Sequence, residues 1–393
     1  MALNTVSSDR LSTNVKNTNF TAAEKQDLTD DILPLAGQLG NRNLIINGAM
    51  QVAQRGTSST ASGLGTVDRF RQSSSSVDAA LTQAQVDVAS GTTPYTSGFR
   101  KAYKVTNANQ TSGAATAVRV RTEINLEAQD IANSGWNYTS TSSFITLSFW
   151  IKSSVAQNFY GYIQTFDGTG QAYVFETGSL TANTWTKITK TIPGNSNLTF
   201  DNNENIGFQI VISQFMGTDY TESGKTLNQW AAYSGTSRMP DNISTWYTTN
   251  GATFEQTGFQ LEVGSVATDF EHRSFGQELA LCHRYYNKVF DMEGQSGEKP
   301  ASLAVYENGS TITTTFNFPK MRAVPSIDCT NATNKFMVRS KDVSDNFNTL
   351  TFRYGTTTTA EITQSSNVSG DSGASGFLRG ADTDVFIAFS AEL

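Results

Sequence analysis

Charge is scarce in this chain: Asp, Glu, Lys and Arg make up 16% of its 393 residues, against about a quarter in an ordinary globular protein. Ser, Thr, Asn and Gly fill the difference, so the surface is neutral and rich in hydroxyls and amides. The 28 basic residues are outnumbered by 35 acidic ones, a net charge of −7. That leaves no cationic field for a phosphate backbone, and nucleic acid is not an expected partner. No run of about 18 apolar residues occurs, so no membrane insertion is expected. Met1-Ala2-Leu3-Asn4-Thr5 has neither the basic nor the apolar region of a signal peptide, so export by the usual route is not expected. The two cysteines, Cys282 and Cys329, and two histidines, His272 and His283, are too few for a zinc cage of paired ligands. A chain folded in reducing cytosol keeps both cysteines as thiols, and buried thiols are the expectation.

Catalytic signatures are missing too. There is no Gly-x-Ser-x-Gly elbow, phosphate-cradling glycine loop or metalloprotease helix. Glycoside hydrolysis needs two facing carboxylates. Asp167, Glu176, Asp201 and Glu204 are the candidates for such a pair, which keeps a polysaccharide depolymerase as a second alternative to a non-enzyme. Asp201-Asn202-Asn203-Glu204-Asn205 offers oxygen ligands for calcium but has the wrong residues for an EF-hand: the glycine is Gly207, and Ile212 stands where the bidentate glutamate belongs. No cofactor is expected, with a calcium site built across strands as the open alternative.

What the chain does contain is alternation. Phe144 to Ile151 is β-branched or aromatic, while Ile206, Phe208, Ile210 and Ile212, then Phe259, Leu261 and Val263, fall at every second residue. That spacing puts alternate side chains on one strand face. Turn formers separate these runs, at Asp167 to Gly170, Pro193 to Asn195 and Asp201 to Asn203, and the pattern predicts a β-sandwich of jelly-roll type. By the same alternation Glu262 points outward to solvent.

In chain order, residues 1–43 read as an N-terminal attachment segment. Thr21-Ala22-Ala23-Glu24 is a capping box, and Leu28, Ile32 and Leu35 recur at helical spacing up to the limit set by Pro34. So short a helix needs burial, either on its own domain or against a partner. Residues 44–274 read as the jelly roll, opening with Leu44 to Val52 as a strand broken at Asn47-Gly48. Residues 275–300 read as a helical and loop connector, because Leu279, Cys282, Tyr286 and Val289 lie near helical spacing. Residues 301–393 read as a C-terminal β-sandwich knob. Its Asn308-Gly309 predicts a hairpin turn, Ser365 to Gly376 a flexible tip loop, and Val385, Ile387 and Phe389 a closing strand that locks the C-terminus into a sheet. The whole is mainly β.

The region 217–251 gathers Tyr220, Trp230, Tyr233, Trp246 and Tyr247 among small polar residues, with Arg238 and Asp241 nearby. Flat rings stack on pyranose C–H faces while amides and carboxylates bond hydroxyls, so Tyr220, Trp230, Tyr233, Arg238, Trp246 and Tyr247 are the candidate glycan-binding set. The same rings would also suit the end of a sandwich or a seam between subunits. Asp68 and Arg69, beside Phe70, are read as bracing a sheet edge rather than holding a ligand.

Several short segments then coincide in order. Asn43 to Met50, Gln54-Arg55-Gly56 and Val67-Asp68-Arg69-Phe70, followed by Ser148 to Ser154, Phe259 to Gly264, Ala267 to Glu271 and Glu278 to Tyr286, resemble a family of bacteriophage virion proteins. These are tail-fibre or head-fibre modules with a jelly roll like that of carbohydrate-binding modules. Phe318 to Ile327 resembles a segment of distal knob domains in phage fibres. The resemblance implies a non-enzymatic fibre on the virion surface, assembled in the host cytoplasm. Its N-terminal segment would anchor it to other phage structural proteins, it would be a homotrimer, and it would adsorb to host-surface glycans. A purely structural capsid decoration or cement protein is the first alternative.

Overall fold

The computed structural model describes residues 42–341 and 343–393. The expected attachment helix with Leu28, Ile32 and Leu35 lies outside them. The described chain is mainly β, as its alternation predicts.

Two six-stranded antiparallel sheets form the first sandwich. The first runs β1 (Ser58–Ser59), β3 (Thr82–Asp87), β4 (Lys101–Thr106), β12 (Thr253–Val263), β6 (Phe144–Ser153) and β9 (Thr186–Pro193). The second runs β11 (Trp230–Ala232), β8 (Gln171–Ser179), β7 (Asn158–Thr165), β10 (Ile206–Met216), β5 (Arg119–Glu127) and β2 (Arg71–Ser75). Neighbours in each sheet are mostly distant in sequence, so long crossovers close the sandwich. Leu147, Phe149 and Ile151 of β6 and Phe259 and Leu261 of β12 meet Phe208, Ile210 and Ile212 of β10 and Phe159 and Ile163 of β7 in one buried core, with Phe149 and Phe259 stacked at 4.6 Å.

One glycine in that core is held by contact. Gly161 stands opposite Phe175 and Ile212, and a Cβ there would lie 2.5 Å from the Phe175 ring and 2.8 Å from the Val211 carbonyl. Gly161→Ala is therefore expected to cost about 1–3 kcal/mol by overpacking, seen as a lower urea midpoint with an unchanged m-value.

Among the described residues four short helices punctuate the strands: α1 (Thr93–Thr96), α2 (Ala128–Ala132), α3 (Thr245–Thr248) and α4 (Phe275–Cys282). Ser274 starts α4 with a capping box to Gln277. The helical spacing read from Leu279 to Val289 holds only as far as Cys282. Tyr286 onward forms β13 (Tyr286–Asp291) instead, because Tyr286 pairs with Ser390 and Tyr285 and Tyr286 are drawn under guanidinium groups, described below. Nor is Leu44 to Val52 a strand. It is a run of turns in which Asn47 takes φ 61° and its side-chain amide donates to the carbonyls of Val52 and Asp68 at 2.8 and 2.9 Å.

β13 opens a second pair of sheets: β13, β22 (Phe386–Ser390) and β16 (Ser326–Cys329), then β18 (Val343–Phe347), β17 (Phe336–Ser340), β21 (Ser375–Gly380), β14 (Lys299–Asn308), β15 (Thr311–Asn317), β20 (Thr359–Gln364) and β19 (Thr351–Gly355). The β14–β15 hairpin forms as expected but without positive φ at Asn308 or Gly309. The Asn308 side chain instead accepts the Ser310 amide at 2.9 Å, an Asx turn. Both cysteines are free, Cys282 buried and Cys329 half-buried.

Candidate functional site

The six candidate residues do not form one site. Trp246 and Tyr247, on α3, are 0% and 1% exposed. Tyr247 stacks on Phe215 at 4.8 Å, and the Trp246 indole donates to the Thr253 carbonyl at 3.1 Å. Both close the end of the core and present no face to a ligand, which corrects the expectation for them. Their apolar bulk outweighed the polar loop around them. Trp230, on the edge strand β11, leans on Tyr173 at 5.5 Å and donates to the Pro193 carbonyl at 2.7 Å.

Tyr220, Tyr233 and Arg238 do come together, over the outer face of the second sheet. Strand register builds that face in rows. One row reads Ser73, Arg121, Ser213, Tyr160 and Glu176, and the next Arg71, Glu123, Val211, Tyr162 and Val174. A third reads Asn125, Gln209 and Gln164, with Gln209 donating to Asn125 at 2.8 Å. Directly opposed residues share a face, so the outer side of this sheet carries tyrosines, guanidinium groups and amides where the inner side carries the core.

The 217–242 loop covers the middle row. Met239 joins Tyr162, Val174, Val211 and Met216 in a small apolar cluster against which Tyr160, Tyr220, Leu227 and Tyr233 rest. Arg238 lies 5.0 Å from the Tyr220 ring centroid and 5.9 Å from that of Tyr233, and Arg119 lies 4.6 Å from Tyr220. Burial raises the Tyr162 hydroxyl pKa against the pull of Arg121 and Arg238, so this tyrosine stays neutral. Burial opposes the charge of Arg121, but Tyr162 and Glu123 outweigh it and raise its pKa.

Several polar atoms of this face are buried without a hydrogen-bond partner: Arg119 Nε, Arg121 Nη1 and Ser213 Oγ. Ser213 is 1% exposed. A buried donor left unmade costs about 1–3 kcal/mol, and this face carries three of the ten unpartnered buried side-chain atoms among the described residues. Sheet rows offering aromatic rings between hydroxyl and guanidinium donors fit a polyhydroxylated ligand. Of this set, sequence reading missed Arg119, Arg121, Tyr160 and Ser213. Each alternates correctly in its strand, but only the register aligns them.

A concavity of about 480 Å³ lies instead on the outer face of the first sheet, lined by Trp150, Lys187, Phe99, Phe270, His272 and Asp269 among others. Glu262, expected in solvent on that face, is 3% exposed. The returning chain covers it, and its carboxylate accepts from the Thr268 amide and hydroxyl at 2.9 and 2.6 Å.

Asp68 and Arg69 brace no sheet edge. They belong to a buried junction between the first sandwich and the knob. Arg69 donates to Glu392 at 2.5 Å and to the Asn125 carbonyl at 2.7 Å, and its guanidinium lies 3.5 Å over the Tyr285 ring. Arg55 reaches Glu392 at 3.2 Å and lies 3.5 Å over Tyr286. Arg322 donates to the carbonyls of Ala391, Glu204 and Glu392.

Among the described residues no group of three His, Cys, Asp or Glu could hold a metal ion. In the Asp201 turn the Asp167 carboxylate accepts the Asp201 amide at 3.0 Å and its pKa is raised, first by burial and then by the neighbouring Asp201.

No family model and no curated protein matches this chain. Among solved structures it is similar to the N-terminal cellulose-binding domain of Cellulomonas fimi β-1,4-glucanase C, at 11% identity and a TM-score of 0.27 over 55% of this chain and 99% of that one. It is similar to a family 30 carbohydrate binding module, at 12% identity and 0.26 over 61% and 94%. It is also similar to the family 11 carbohydrate-binding module of Clostridium thermocellum, in complex with a β-1,3-1,4-mixed-linked tetrasaccharide, at 12% identity and 0.25 over 54% and 98%. Likeness this slight carries no functional weight.

Proposed function

We propose that this chain is a non-enzymatic glycan-binding protein of a bacteriophage particle surface, whose ligand lies on the outer face of the second sheet between Tyr160, Arg121 and the loop bearing Tyr220, Tyr233 and Arg238. One observation carries the ligand half of this reading: buried, unpartnered Arg119 Nε, Arg121 Nη1 and Ser213 Oγ on a face of half-buried tyrosines. The phage half rests on the ordered motifs of the sequence. In that setting the N-terminal segment anchors the protein to other virion proteins, three copies assemble, and many weak sites act together, so that even millimolar affinities suffice.

The test is a glycan array probed with the full chain and with Tyr160→Ala, beside labelling of intact virions with an antibody to this protein. Tyr160→Ala, folded by circular dichroism, is expected to weaken the bound glycan at least tenfold, about 1.4 kcal/mol. Retention of no glycan at all, on virions that carry the protein, would replace this reading by a structural decoration or cement role. That second reading has its own support, because Arg55, Asp68, Arg69, Tyr285 and Arg322, all from the phage-like motifs, build the junction and not the tyrosine face. Release of reducing sugar from a host polysaccharide would instead reinstate the depolymerase.

A further inference from the structure

The ligand class at the tyrosine face is legible from its charges. Four guanidinium groups surround it: those of Arg71, Arg119, Arg121 and Arg238. Glu123 accounts for two of them, being paired with Arg121 and 3.7 Å from Arg71. Of the three carboxylates of the covering loop, Glu222 is engaged with Ser237 and Lys225 and Asp241 with the Thr221 hydroxyl at 2.5 Å, while Asp219, exposed beside Tyr220 in the chain, makes no ion pair among the described residues. Among the described residues no carboxylate lies within 4.0 Å of Arg119 or Arg238. Yet both pack on the same Tyr220 ring, 4.6 and 5.0 Å from its centroid. Arg119 Nε is buried with no partner, and Arg238 spends only its Nε, on the Gly235 carbonyl at 3.0 Å.

Two guanidinium groups without an ion-pair partner on one ring stand out in a chain of net charge −7. A neutral pyranose would bond to their N–H groups but would leave both charges standing. A carboxylate or sulfate offers paired oxygens that match the planar guanidinium fork and neutralise it. We infer that this face selects an acidic glycan, with sugar carboxylates or sulfates bound by Arg119 and Arg238 beside Tyr220 and the sugar ring resting toward Tyr160. The inference rests on the glycan-binding reading above and names its ligand. Because the chain as a whole is acidic, the attraction is local and is screened by salt.

The experiment titrates the full-length protein with polygalacturonate, dextran sulfate and neutral dextran, alongside an array holding neutral and acidic oligosaccharides. Wild type, Arg119→Gln with Arg238→Gln, and Arg353→Gln in the knob as a control for general surface charge are compared at about 50 and 300 mM salt. Acidic ligands are expected to be retained and neutral ones not. The double variant should lose at least tenfold in affinity and most of the salt dependence, while Arg353→Gln stays as wild type. Polygalacturonate against dextran sulfate separates a carboxylate preference from a sulfate preference. Retention of neutral oligosaccharides alone, or acidic binding that the double variant leaves intact, would overturn this inference while sparing the glycan reading. Absence of any glycan binding would remove both.

Discussion

Glu392→Ala is expected to lower the stability of the folded chain by about 3 kcal/mol or more, because it leaves Arg69 buried without its counter-charge. The Arg69 side chain is 5% exposed and that of Glu392 10%, so solvent screens the pair little. After the change Arg69 keeps only the Asn125 carbonyl and the Tyr285 ring, and Arg55 loses its 3.2 Å partner. Asp68, 3.9 Å from Arg55, is a poor substitute. Burial, only partly offset by Gln54 and Arg55, pushes its carboxyl from 3.8 up to about 6. A raised folded-state pKa means that Asp68 contributes stability below about pH 4 which is lost as the pH rises through 6. It also means that near pH 5 Asp68 is neutral and leaves both arginines to Glu392. The Glu392→Ala deficit should therefore be larger at about pH 5 than at about pH 7 in urea titrations. Adding Arg69→Met should recover most of it, since removing both members of a buried pair is nearly neutral. A double variant as unstable as the sum of the singles would show that packing, not charge, holds the junction.

That junction explains how far the sequence could be read. Alternation located β6, β10 and β12 because each has one face in a continuous apolar core, and a core-facing strand cannot shift register by one residue without inverting every side chain. Trp246 and Tyr247 were misassigned because a polar loop composition says nothing about which rings turn inward. The tyrosine face was only half legible for a related reason. Tyr220, Tyr233 and Arg238 lie within one loop, but Arg121, Ser213 and Tyr160 come from β5, β10 and β7 and meet through the ladders. Glu262 shows the converse, an alternation read correctly toward the outer face but covered afterwards by the chain that follows.

The division between motif and site matters for function. Asn47 bonds to the Glu278 carboxylate, Asn43 reaches the Phe259 carbonyl at 3.0 Å, and Gln54 reaches the Tyr286 carbonyl at 2.8 Å. All of these belong to the short ordered segments singled out in the sequence. These groups are satisfied internally, although Arg55 Nη1 in the same segments is buried without a hydrogen-bond partner, as are Arg119 Nε, Arg121 Nη1 and Ser213 Oγ on the tyrosine face. On the proposed reading, a scaffold carried by one residue set and a binding surface carried mainly by another would let the second vary while the first is kept.

Arg284→Ala should be nearly as damaging as Glu392→Ala, for the mirror-image reason: it leaves an anion buried. Glu127 ends β5 at 0% exposure and accepts from Arg284 Nε at 2.7 Å, Arg284 Nη2 at 2.6 Å and the Tyr285 hydroxyl at 2.6 Å. Burial alone would raise the Glu127 pKa, but these hydrogen bonds and the charge of Arg284 outweigh it and hold the carboxyl below its ordinary value. A lowered folded-state pKa supplies stability above the unfolded value of 4.5 that is lost as the pH falls through the folded value. Removing the arginine removes that supply. Asp130 beside it, already pushed up to about 6 by burial and by the Glu127 charge, would then be raised further. Since Arg284 is 31% exposed, the expected loss at about pH 7 is near the lower end of the range for broken buried pairs, about 3 kcal/mol. The deficit should shrink as the pH is taken well below 4.5, where Glu127 is protonated in both proteins. Introducing Glu127→Gln into Arg284→Ala should restore stability, because a neutral amide leaves no unpaired charge. If the glutamine makes the arginine variant worse at neutral pH, then the hydrogen bonds around Glu127, and not its charge, hold β5 to the segment that leads into the knob.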